Sequence, residues 1–298
     1  MGKTFFKLHL SILLAGFTGI FGKLISLNEG MLVWYRTLLA SVLYMLFLIA
    51  IKKMPRVSGR DFFRIAQVGA VLSLHWIFFY GSIKASNVSI GVVCFSLVGL
   101  FTAILEPIML HRRFSARELI YSLITLLGVM LIFSFDTRYR FGITLGIISA
   151  AFASLFTIMT KKINADYPPR TILLYEMIGG FLMISLLLPI YLHYNPTDSM
   201  LPTKLDIVWL LLFVIFCTIG LQLLQIQVLR KVSAFTVNLS YNLEPVYSII
   251  LAMVFFGEAK ELNFSFYIGV SLVILSVLLQ TFDSIRNRKQ KKPAAVTS

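Results

Sequence analysis

The sequence predicts an all-α integral membrane protein, with ten transmembrane helices in two inverted five-helix repeats. Three observations carry this expectation. The 298-residue chain is 58% hydrophobic and only 13% charged, whereas a soluble domain carries about 25% charged residues. Its apolar residues form ten long runs, and its basic residues fall between those runs in a one-sided pattern. So few charges exclude a soluble domain or a disordered chain. The two cysteines, Cys94 and Cys217, lie inside apolar runs and imply no disulfide framework. The net charge of +14 does not indicate nucleic acid, because the basic groups sit in short connections where they set topology.

A membrane helix needs about 20 mostly apolar residues. In order, the runs are 5–25, 31–51, 62–84, 89–110, 119–135, 141–163, 171–192, 207–229, 234–256 and 263–282. They do not alternate with period two, so helices are expected rather than barrel strands. Lys3 and Lys7 ahead of the apolar stretch of the first run resemble a secretory signal, but no small-residue cleavage site follows. A retained first helix is expected. The connections are short and marked by Pro55 with Gly59, Pro168-Pro169 and Asn195-Pro196, which leaves no room for a soluble catalytic domain. The segment 284–298, with Arg286, Arg288, Lys289, Lys291 and Lys292, reads as a basic tail that stops transfer and meets anionic lipid.

Orientation follows from the basic residues. If the N-terminus is cytoplasmic, the inner segments hold 20 Lys and Arg, with five between the second and third runs and five in the tail. The outer segments hold six: Lys23, Lys84, Arg138, Arg140, Lys204 and Lys260. Arg36 lies within a run. Both termini are thus expected on the cytoplasmic side of the cell membrane.

The halves resemble each other. Residues 15–21 lie over 150–156, 33–36 over 173–176, 97–101 over 243–247 and 127–131 over 275–279. The offset grows from 135 to 148 along the chain, so the gaps fall in connections. Division into repeats at 1–137 and 138–283 is expected. Five helices per repeat is an odd number, so the second repeat must be inverted. Inverted repeats meeting around a midplane site are the architecture of secondary transporters.

The ten helices, the five-plus-five duplication and the pattern Pro245-(x)12-Glu258-(x)10-Gly269 resemble the EamA branch of the drug/metabolite transporter superfamily. Tyr35-Arg36 and Tyr175-Glu176, at the starts of the second and seventh runs, are also similar to that family. The resemblance covers residues 5–282 and implies transport of small metabolites, with export of amino acids or related compounds as the first expectation; the inverted repeats add the expectation of alternating access. The first repeat departs from the pattern. Gly99 stands where Pro245 would repeat, and Arg112 stands near the place of Glu258.

Polar groups within the runs define the candidate site, since charge at the bilayer centre is costly. Glu244 is the deepest acid, next to Pro245, which cannot donate to the Tyr241 carbonyl. It is a candidate for proton coupling, with interhelical bonding as the plainer role. Arg36 and Glu176 occupy repeat-equivalent positions on opposite sides and are candidate gating residues, with snorkelling the plainer role for Arg36. Glu106 is a fourth candidate and lies close to Arg112 and Arg113, where a local ion pair is expected. His75, Trp76, Phe79 and Tyr80 form an aromatic stretch in the third run that suits a pocket for an amphipathic solute. Gln222, Tyr241 and Asn242 add uncharged polar groups, able to bind a zwitterion or to join helices.

No phosphate-binding loop, metal-ligand cluster or nucleophile motif appears, so no enzyme, cofactor or metal is expected. The expected partners are a small-molecule solute and the lipid bilayer, with the protein a monomer or homodimer. The rival readings are a membrane-embedded lipid-modifying enzyme or assembly factor, and a channel. The first would need paired catalytic groups, and only Glu106 with His111 comes near. A channel would need a continuous polar stripe, whereas polar groups here cluster at the middles and ends of the runs.

Overall fold

The computed structural model describes residues 2–135, 139–197, 199–241, 243–257 and 264–290. Among them every regular element is helical. The first repeat comprises α1 (Gly2–Gly16) with α2 (Thr18–Leu24), α3 (Glu29–Ala50), α4 (Gly59–Ala85), α5 (Val88–Phe95) with α6 (Val98–Leu110), and α7 (Ala116–Phe135). The second comprises α8 (Arg140–Ile163), α9 (Pro169–Tyr194), α10 (Lys204–Val214) joined by a π-helical segment to α11 (Leu221–Leu229), α12 (Ala234–Tyr241) with α13 (Glu244–Phe256), and α14 (Phe264–Gln290). Seven of these spans are long and apolar enough to cross a membrane, and α13 and the start of α14 are shorter apolar helices. The protein is an all-α membrane protein.

The helices begin where side chains can satisfy orphan backbone donors. Asn28, Ser58, Asn87 and Thr203 each accept from a backbone N–H three residues on, at 2.8 to 3.2 Å. Pro169 opens α9 at its first position, where its missing donor costs nothing.

Four runs are not the unbroken helices that hydropathy alone predicts. The first breaks at Phe17, the fourth at Ser96–Leu97 and the ninth between Tyr241 and Glu244. The eighth carries the π segment Ile215–Gly220. Leu97 and Leu243, repeat-equivalent at an offset of 146, both lead into a helix with helical φ and ψ. In lipid such breaks persist only where protein or a cavity covers the freed backbone. Here Ser248 Oγ donates to the Gly16 carbonyl at 2.9 Å, sealing the first break.

Packing follows a two-fold logic. α4 packs on α8, and its counterpart α11 packs on α1; α6 packs on α8, and α13 packs on α1. α3 meets α9, α5 and α6 meet α13 and α12, and α7 meets α14, each an equivalent against its own equivalent. α4 and α9 cross in close contact. A Cβ at Gly69 would lie 2.6 Å from the carbonyl carbon of Glu176, and one at Gly179 would strike the backbone of Ala66. Only glycine permits this approach. Large apolar side chains such as Phe6, Phe141, Leu186 and Val254 remain exposed and form the lipid-facing belt.

One face carries the start of α1, the end of α3 and the starts of α4, α9 and α12; it is called the first face below. Each face has a clasp. On the first, Ser58 caps α4, Asp61 accepts the Ser58 hydroxyl at 2.7 Å, and Tyr167 of the α8–α9 connection donates to Asp61 at 2.5 Å. On the second, Thr203 caps α10, Asp206 accepts the Thr203 hydroxyl at 2.7 Å, and Ser26 of the α2–α3 connection gives Asp206 its amide and hydroxyl at 2.8 and 2.6 Å. Ser58 and Asp61 recur as Thr203 and Asp206 at an offset of 145. Both clasps are formed in this conformation.

Candidate functional site

The helix breaks, α4 and α11 surround a small central cavity of about 60 Å³. α4 contributes Leu72, His75, Trp76, Phe79 and Tyr80 along one side. These five recur every three or four residues, so a single helix face presents them together. His75 Nδ1 lies 2.8 Å from Ser149 Oγ and 3.1 Å from the Ser149 carbonyl of α8, which fixes the ring. The His75 ring also stacks beside Phe79 and Phe95 at centroid distances of 5.8 and 5.3 Å.

Arg36 of α3 reaches into this cavity and is 1% exposed. It does not snorkel to the interface, the plainer of the two expectations, because partners inside the bundle hold it. Nε donates to Thr218 Oγ1 at 2.8 Å, Nη1 to the Tyr80 hydroxyl at 2.7 Å, and Nη2 to the Cys217 carbonyl at 3.1 Å. Its guanidinium lies 3.5 Å above the Trp76 ring and 4.3 Å from that of Phe213. Cys217 and Thr218 belong to the π segment, whose wider winding turns polar groups toward a neighbour. Among the described residues no carboxylate lies within ion-pair distance of Arg36. The charge is thus buried, held by dipoles and aromatic faces, and not neutralised there by an acid.

The second repeat completes the wall with Leu221, Gln222 and Gln225 of α11, Asn238 and Tyr241 of α12, and Glu244 at the start of α13. Glu244 is 3% exposed and opens α13 after the break, where a helix N-terminus favours negative charge. Asn238 Nδ2 donates to Thr102 Oγ1 at 2.8 Å, joining the two broken spans. Gln222 Oε1 is buried and has no hydrogen-bond partner among the described residues. An unfilled acceptor on a cavity wall is the kind of group that a ligand or water satisfies.

The structure therefore brings together His75, Trp76, Phe79, Tyr80, Gln222, Tyr241 and Glu244 from the sequence reading, and adds Arg36 to them. Asn242 lies outside the described residues. Two acids stand elsewhere. Glu106 pairs with Arg112 at 2.7 Å and accepts the Phe235 amide at 2.8 Å. Glu176 does not reach a mouth of the bundle: it is fully buried at the α4–α9 crossing and accepts from Thr160 at 3.1 Å. Its side chain and that of Arg36, equivalent in the repeat, meet different surroundings. Sequence reasoning did not select Thr18, Phe95, Phe156 or Thr157, which also line the cavity. Nothing in their type separates them from ordinary helix packing. Outside the spans, the Tyr167 phenol is held above the usual tyrosine range because it donates to the Asp61 carboxylate.

Inverted five-helix repeats, broken spans and a polar pocket between them define a membrane transporter. The sequence model of the EamA-like transporter family matches residues 3–134 and again 140–282, so the chain belongs to that family. It is 26% identical over 271 residues to the uncharacterized transporter YetK of Bacillus subtilis (strain 168), covering 87% of this chain and 78% of that protein. An uncharacterized transporter of Clostridium kluyveri is 21% identical over 259 residues, covering 84% of this chain and 81% of its own. One of Archaeoglobus fulgidus is 24% identical over 229 residues, covering 76% and 78%. A solved crystal structure aligns with a TM-score of 0.66 at 15% identity, over 94% of this chain and 98% of that one. At that identity the likeness shows the fold alone.

Proposed function

We propose that the chain exports a small zwitterionic solute, an amino acid or related compound, across the cell membrane by alternating access. Residues 1–137 and 138–283 are the two units that rock, with the first face and both termini cytoplasmic. The observation that carries this reading is the Arg36 guanidinium, buried on the cavity wall with no acid beside it among the described residues. Two of its five N–H donors are left over by the three bonds, and a solute carboxylate supplies both charge and acceptors. Glu244 faces the same cavity from the other repeat and suits the solute ammonium or a coupled proton. The aromatic rings of Trp76 and Phe79 hold the apolar part. At about 60 Å³ the cavity has room for only a few water molecules. A solute therefore enters when one clasp opens and the wall moves apart.

The test is uptake of radiolabelled amino acids into inside-out vesicles, with and without a pH gradient. Accumulation by the wild type, abolished by Arg36→Ala and freed of its pH dependence by Glu244→Gln, is expected. Uptake that is unchanged in both variants overturns the reading.

A further inference from the structure

A second cleft lies on the lipid-facing side of α4, away from the central cavity, and we propose that it holds one zwitterionic phospholipid whose headgroup bears a primary ammonium. The cleft encloses about 620 Å³ between α4, α8 and α9 and opens toward the second face. It shares no lining residue with the central cavity. α4 is the partition: Trp76, Phe79 and Tyr80 face inward, while Leu74, Ile77, Phe78 and Gly81 face the cleft.

The floor is apolar and the rim is charged. Leu74, Ile77, Phe78, Leu145 and Leu187 form the trough, and Glu29, Lys84 and Tyr191 stand at its end. Ten residues of α4 separate Leu74 from Lys84, a rise of about 15 Å, which is half the roughly 30 Å hydrocarbon core. The trough thus runs from headgroup depth to the midplane, the reach of one acyl chain. Tyr191 donates to Glu29 Oε1 at 2.6 Å and sets the carboxylate at the rim. Lys84 is exposed, and its ammonium makes one long contact, 3.3 Å to the Ile25 carbonyl. Among the described residues Glu29 and Lys84 form no ion pair with each other.

Opposite charges held apart above an acyl-sized trough complement a phosphate on Lys84 and an ammonium on Glu29. An anionic headgroup without the ammonium satisfies Lys84 and meets repulsion from Glu29. A quaternary ammonium has no N–H to give the Glu29 oxygens. The headgroup that answers both charges is phosphoethanolamine on a diacyl chain. This site does not depend on the identity of the transported solute.

Native mass spectrometry of the delipidated full-length protein in detergent tests the proposal, titrating dioleoylphosphatidylethanolamine, dioleoylphosphatidylglycerol and free phosphoethanolamine in separate arms. One ethanolamine lipid retained per protein, at least tenfold tighter than the glycerol lipid, is expected, with no retention of the free headgroup. Lys84→Ala should weaken retention about tenfold, the loss of one charge-assisted contact. Gly81→Leu should abolish it by filling the trough: a Cβ there meets the movable tip of Leu145 at 3.3 Å and touches Glu29 Cγ and Oε1 at 3.9 Å, so the added side chain projects between floor and rim. Elution volume and unfolding temperature report folding for both variants. If Lys84→Ala misfolds, Gly81→Leu alone decides. Equal retention of the two lipids, or wild-type retention in folded Gly81→Leu, overturns the assignment.

Discussion

Gly69→Ala is a perturbation whose size can be worked from the geometry. The new Cβ would overlap the Glu176 carbonyl oxygen, its nearest neighbour, and sit 2.6 Å from the carbonyl carbon and 2.7 Å from the Cα. Carbon atoms rest at about 3.5–4.0 Å, so α4 and α9 must separate by at least about 1 Å. The opposing atoms are backbone, and no rotamer change relieves them. Overpacking of this kind costs about 1–3 kcal/mol. In a chain of this length each kcal/mol moves the midpoint by about 2–4 °C, so a fall of roughly 2–12 °C is expected. The assay is thermal unfolding of the detergent-purified protein, with Gly59→Ala as control. A Cβ at Gly59 meets nothing within 4 Å, and the substitution there should leave the midpoint within about 1 °C. If Gly69→Ala unfolds with the wild type, or Gly59→Ala falls as far, the α4–α9 crossing is not the close contact described.

Three further outcomes are expected. Arg36→Lys keeps the charge but loses the planar fork and its stacking on Trp76. Apparent solute affinity, read from ligand-induced thermal stabilisation, should fall about 10- to 100-fold while the protein stays folded. Asp206→Asn should lower stability by about 1–2 kcal/mol by weakening the bonds that its carboxylate accepts from Thr203 and Ser26, and Asp61→Asn by less, because Asp61 is more accessible to water. Chemical unfolding of the two variants side by side checks the order. Glu106→Gln should remove the charge opposite Arg112 and one of the two acceptor oxygens, weakening the α6–α12 junction, yet spare solute affinity, since Glu106 does not line the cavity. A binding defect in that variant larger than its stability loss would contradict this placement.

Much of the architecture was legible because lipid imposes few solutions. The apolar runs, the one-sided basic residues and the odd number of helices per repeat state the fold with little help from local propensity. The aromatic face of α4 was legible because helical spacing alone gathers Trp76, Phe79 and Tyr80. The helix breaks were not. Leu97 has no proline beside it, and the break there becomes sensible only against α13 packed across it. The π segment was hidden for a similar reason: nothing in Ile215–Gly220 announces it, and its reason is the Arg36 side chain arriving from α3. Arg36 itself read as an interfacial residue when counted from the end of its run. Depth along one helix says nothing of which neighbour stands beside it.

The two clasps share one spacing, Ser58 with Asp61 and Thr203 with Asp206, but do not sit in the same medium. Asp206 is 2% exposed, whereas Asp61 is half-buried beside the wetted pair of Arg64 and Asp166. Water competes for the one and hardly reaches the other, so breaking the first costs less. The two ends match in residue type and differ in burial. Under the proposed rocking motion the empty carrier leans toward opening on the first face, and the direction of that lean is written in solvent access rather than in any difference of residue type.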